Sequence, residues 1–208
     1  MAVKTQLVQE LLSKSQSENF EFMAVTKKRS VDDINTLRNL GVTTFGENKV
    51  QEAFLKYSNL DRRELIKLHL IGPLQSNKTK KALETFDAIQ SLDRKKIIDA
   101  ISEYNNANSK TKEFYIQINI GQEPQKSGVD PQDTSYYFDY AKSKNINVVG
   151  LMCIPPLGAS ADKYFYKMNS IRDTIDKKLK LSMGMSQDYK TAVQYKSNMI
   201  RVGSALFE

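Results

Sequence analysis

The sequence holds one cysteine, one histidine and no tryptophan. A lone cysteine, Cys153, excludes an internal disulfide framework, and with His69 the only histidine the usual zinc ligand sets cannot be assembled. No metal site is expected. Long hydrophobic runs are missing as well. The longest, at 115–120 and 148–156, are too short to cross a membrane, and the first nine residues show no signal-peptide core before a small-residue cleavage site. A soluble, cytoplasmic protein is expected. No Gly-x-Gly-x-x-Gly follows a strand-like run, no phosphate-loop lysine motif occurs, and no Ser-His-Asp or Cys-His arrangement can be assembled.

The 208 residues, 40% of them hydrophobic, suffice for one sizeable core, so 1–208 reads as a single domain, expected to be a monomer. The net charge of +7 favours anionic ligands, whether phosphorylated small molecules, nucleic acid or a membrane surface. Basic residues cluster at 27–29, 78–81, 94–96 and 177–180. The last three fall in helix-like segments among acidic residues, without interleaved aromatics for base stacking, and read as solvated helix faces rather than a nucleic-acid interface.

Val3, Leu7, Val8, Leu11 and Leu12 repeat with helical spacing, so an amphipathic helix opens the chain. Strand-like runs follow at 22–26, 43–45, 67–71, 88–90, 114–120, 148–153, 181–183 and 199–202, eight in all, with helical patterns between them. Asp130-Pro131 is a helix start signal, and Ser30 with Asp33 resembles a weaker capping box. Strict alternation of strand and helix implies parallel strands, and eight of them suggest a closed TIM-type (β/α)8 barrel, with the opening helix covering the gap after the last strand. An open doubly wound sheet is the alternative.

In such a barrel the carboxyl ends of the strands converge on one face, where ligands bind. Polar and glycine residues stand at those ends: Lys27, Asn48, Gly72, Ser91, Asn119, Ser182 with Gly184 and Ser186, and Arg201 with Gly203 and Ser204. An amine held at a strand end can attack an aldehyde, so Lys27 suggests an aldehyde cofactor bound as a Schiff base. Strand alternation allows only one of Lys27 and Lys28 to point inward and leaves open which. Backbone amides at Gly203, the Ser204 hydroxyl and Arg201 together suit a phosphate dianion, with Ser182 beside them. His69 and Cys153 read as buried structural residues, and Asp32 with Asp33 as helix-start carboxylates.

In order, the segments AVTKKRS (24–30), FGENKVQE (45–52), HLIGPLQSNK (69–78), INIGQEPQKSGVDP (118–131), GLMCIP (150–155), LSMGMSQDY (181–189) and IRVGSALF (200–207) resemble the pyridoxal phosphate homeostasis proteins, the YggS or PROSC family, whose fold is similar to the barrel domain of alanine racemase. The resemblance implies pyridoxal 5′-phosphate on Lys27 rather than Lys28. It also implies that Ser182, Arg201, Gly203 and Ser204 surround the phosphate, with Asn48 and the backbone near Met183 in the same pocket. The chain departs from the family at Lys28 and Ser30, where a smaller polar residue and a proline are common. The expected function is a carrier that buffers the cofactor or delivers it to apo-enzymes, with no catalytic residues. An amino-acid racemase is the alternative; in alanine racemase the second acid-base group comes from another domain.

Overall fold

Side chains alternate along a strand, and in this chain both sets are buried over most strands, a pattern that belongs to a parallel sheet covered on both sides. The computed structural model describes residues 2–107 and 112–207. Eight parallel strands, β1 (Glu21–Val25), β2 (Thr44–Glu47), β3 (Lys67–Leu70), β4 (Ala88–Leu92), β5 (Glu113–Ile118), β6 (Val148–Cys153), β7 (Lys180–Ser182) and β8 (Met199–Val202), pair in chain order. β8 closes the barrel on β1, with Phe22 opposite Ile200 and Ala24 opposite Val202. The expected (β/α)8 barrel is what the chain forms.

Around it stand α1 (Thr5–Ser17), α2 (Val31–Asn39), α3 (Val50–Tyr57), α4 (Thr79–Thr85), α5 (Lys95–Ala107), α6 (Thr134–Ser143), α7 (Asp162–Ile175) and α8 (Tyr189–Gln194). The outward strand residues, among them Phe22, Phe45, Leu68, Ile89, Phe114 and Ile200, form one apolar layer with helix residues such as Ile34, Ile98 and Phe165. Helix α1 buries Val8 and Leu11 and packs on β1 and on the 3-10 turn Ser204–Leu206. The Lys4 amide donates to the Leu206 carbonyl at 2.8 Å, which sets α1 in the gap after β8, as expected.

The capping box at α2 is complete: Ser30 Oγ accepts the Asp33 amide at 3.1 Å and the Asp33 carboxylate accepts the Ser30 amide at 3.0 Å. Asp130 accepts the Gln132 amide at 2.9 Å, but the helix it starts opens with a 3-10 turn, Pro131–Asp133, before α6. Strand β5 stops at Ile118, two residues before the predicted end, because residues 119–130 fold back and the Asn119 amide donates to Val129 instead of continuing the ladder. The basic run 177–180 is a turn entering β7 rather than a helix, since α7 ends at Ile175. Among the described residues no helix is long and apolar enough to cross a membrane, and no cluster of residues could hold a metal ion.

Candidate functional site

Beyond the carboxyl ends of the strands lies a cleft of about 660 Å³. Lys27, Asn48, Arg201, Gly203 and Ser204 all line it, so five of the seven predicted site residues meet in one place. The other two, Ser182 and Met183, are fully buried beneath it.

Lys27 owes its place to a turn. After β1 the Arg29 amide donates to the Thr26 carbonyl at 3.0 Å, closing a four-residue turn with Lys27 and Lys28 at its centre. Lys28 takes φ +60°, in the left-handed region that lysine rarely adopts. Both side chains are exposed, but only Lys27 lines the cleft. Asn48 follows β2 directly, and its backbone lies against Gly72: a Cβ at residue 72 would come within 2.2 Å of the Asn48 carbonyl oxygen, so only glycine allows this approach of the two loops.

Arg201, on β8, forms the floor. Its guanidinium is almost wholly buried and, among the described residues, has no carboxylate in ion-pair range. Instead Nη1 donates to Ser182 Oγ and Nη2 to the Cys153 carbonyl, both at 2.7 Å. Burial holds its pKa below the usual guanidinium value. Ser182 Oγ in turn donates to Gln90 Oε1 at 2.7 Å, and Gln90 Nε2 lies 3.0 Å from His69 Nδ1. A polar column thus descends through the barrel lumen from the cleft floor to His69. Burial pushes the His69 pKa down to about 4, which keeps the ring neutral.

One wall is made by backbone. The Gly203 and Ala205 amides point at Ser186 Oγ, at 3.3 and 3.4 Å, and the Ser204 hydroxyl lies 3.3 Å from the same atom. Two amides and the Ser204 hydroxyl thus converge on the Ser186 hydroxyl, a cluster of donors suited to cradle an anion. Ser186 reaches it because Gly184 turns the chain at φ +95°, a conformation suited to glycine.

Met183 lies apart from the cleft: its side chain belongs to the apolar layer and its amide donates to the Met199 carbonyl at 3.1 Å. Ser182 meets the cleft floor through its hydrogen bond with Arg201. Cys153 is buried with its thiol pushed up to about 12 by desolvation, and His69 sits in the lumen, so both stand where structural residues would. Sequence reasoning placed Ser186 at a strand end without counting it among the cofactor residues, and it did not select Lys126 or Gln90. Ser186 had a visible signal, its spacing of two from Gly184 after a strand; Lys126, ion-paired with Glu123 in the folded-back loop, and Gln90, inside an apolar strand, had none.

The model of the alanine racemase N-terminal domain family matches residues 5–208. The chain is 39% identical to the pyridoxal phosphate homeostasis protein of Pasteurella multocida over 201 residues, covering 90% of this chain and 85% of that protein. It is 34% identical to the protein of the same name from Aquifex aeolicus, with 90% and 86% covered. Among solved structures, PipY of Synechococcus elongatus with pyridoxal phosphate bound superposes with a TM-score of 0.84 at 30% identity, over 97% of this chain and 100% of that one. Alanine racemase of Clostridium difficile, at 13% identity and a TM-score of 0.76, shares the fold; 96% of this chain matches 56% of that one. With this fold, this cleft and these relatives, the chain belongs to the family of pyridoxal phosphate homeostasis proteins.

Proposed function

We propose that the cleft binds pyridoxal 5′-phosphate on Lys27 and that the protein buffers this cofactor or delivers it to apo-enzymes, acting as a cytoplasmic monomer. The observation that carries this reading is the meeting, in one cleft, of a turn-held lysine amine and a backbone anion cradle. The residues fit the group. Pyridoxal phosphate supplies an aldehyde carbon that condenses reversibly with an amine, and a phosphate dianion for anchorage. Lys27 is the amine. The Gly203 and Ala205 amides with the Ser204 and Ser186 hydroxyls hold the anion, and Asn48 lines the same cleft. Ser182 fixes the guanidinium of Arg201, and Met183 supports the loop from below.

The same residues favour carriage over turnover. A guanidinium donates hydrogen bonds and accepts none, so Arg201 would oppose protonation of a cofactor ring nitrogen if that nitrogen faced it, and would weaken the ring as an electron sink. The two carboxylates lining the cleft are already engaged: Asp188 accepts the Met185 amide at 2.6 Å and Asp162 the Ser160 hydroxyl at 2.9 Å. Neither tyrosine nor histidine is among the described residues lining it, and the other amine there, Lys126, is ion-paired with Glu123.

The test is to add pyridoxal phosphate, record the visible absorbance, reduce with borohydride and locate the modified peptide by mass spectrometry. A new band with the label on Lys27, lost in Lys27→Ala, is expected. No band, or label spread over surface lysines, overturns the site; D-amino acid released from the L-isomer by wild type and not by Lys27→Ala overturns the carrier reading.

A further inference from the structure

Lys27 and Lys28 are adjacent, chemically equivalent amines, yet one lines the cleft and the other does not. The cause lies on α3. Lys56 Nζ donates to the Thr26 carbonyl at 2.7 Å, to Glu47 Oε1 at 2.9 Å and to Glu52 Oε1 at 2.7 Å. An ammonium has three protons, and each has an acceptor. The Lys56 side chain is only 12% exposed, so these charge-assisted bonds are shielded from water. Glu52 Oε1 also accepts the backbone amide of Lys28. Helix α3 therefore grips the chain on both sides of Lys27, by the carbonyl before it and by the amide after it. Glu47, fully buried at the end of β2, steadies the same turn by accepting the Thr26 hydroxyl at 2.8 Å.

We propose that Lys56 and Glu52 are positioning residues that select Lys27 over Lys28 as the amine that takes the aldehyde. This rests on the cofactor reading above. The left-handed backbone at Lys28 is unfavourable for a lysine, and the Glu52 contact to its amide holds it there. With that contact gone the turn relaxes toward ordinary φ values, and both amines sample the cleft mouth. A lysine at residue 56 meets three convergent acceptors that the flat fork of an arginine cannot match.

The experiment compares wild type with Lys56→Met, Glu52→Ala and the conservative Glu52→Gln, which keeps an acceptor for the Lys28 amide. Each is treated with pyridoxal phosphate and borohydride, and the ratio of label on Lys27 to label on Lys28 is read by mass spectrometry. One water leaves as amine and aldehyde condense, and borohydride supplies the hydride that fixes the resulting bond. The ratio is expected to fall roughly tenfold in Lys56→Met and Glu52→Ala, the scale of one lost charge-assisted hydrogen bond, and to stay near wild type in Glu52→Gln. An unchanged ratio in the first two overturns the proposal even if their thermal stability drops, since a purely structural ion pair would lower stability and leave selection intact. Should Lys56→Met fail to fold, the Glu52 pair decides. Hydrogen exchange at the Lys28 amide, measured without cofactor, gives the second readout: faster exchange in Glu52→Ala than in wild type supports the grip, and equal exchange overturns it. If wild type carries no label on Lys27, the cofactor reading fails, and the exchange measurement still judges the grip.

Discussion

The two faces of the barrel sheet have opposite chemistry. Toward the helices, Phe45, Leu68, Ile89, Phe114 and Ile200 pack in a continuous apolar layer. Toward the lumen, the neighbours of these residues are His69, Gln90, Tyr115 and Arg201, all buried, and Ser182 joins them from β7. Burying apolar area drives folding, whereas a buried polar column gives little net stability and is costly if one member loses its partner. The outer face therefore accounts for why the chain folds, and the lumen for how the cleft floor is shaped.

The largest expected effect breaks the outer face. Phe45 is fully buried and its ring lies 6.3 Å from that of Tyr57, so Phe45→Ala should cost about 4 kcal/mol, read as a lower urea midpoint. The lumen should show itself through pH. In the fold His69 binds a proton only near pH 4, because burial disfavours the charged ring, whereas in the unfolded chain it does so near 6.5. Between those values the unfolded state holds the extra proton, so stability falls as pH drops through 6.5 and the loss levels off below about 4, at about 3 kcal/mol. Urea midpoints at pH 7 and pH 5 should differ more in wild type than in His69→Gln. The smallest effect lies outside both faces, at the capping box: Ser30→Ala should cost about 1 kcal/mol, seen as a small fall in Tm.

The order of strands and helices was legible because each strand carries a short apolar run and each helix a repeating apolar stripe. Gly203 and Ser204 were legible too, since they stand directly at a strand end where the fold puts its ligand. The choice between Lys27 and Lys28 was not legible from alternation, and only the family resemblance pointed to Lys27. Alternation ends with β1 at Val25, and the turn beyond it is shaped by Glu52 and Lys56, more than twenty residues away in the chain. Gln90 was hidden for a related reason. A glutamine within Ala88–Leu92 finds its partners on β3 and β7, across a lumen that exists only once the barrel closes.

His69 is the only histidine in the chain, and Arg201 can only donate. Ser182 must then donate to Gln90, and Gln90 to Nδ1 of His69, which leaves the imidazole proton on Nε2. A charge at the cleft floor is thereby written, three bonds down, as a tautomer. That one ring, neutral and held in a single tautomer at the foot of the column, should show the nitrogen resonances of an Nε2-protonated imidazole at pH 7.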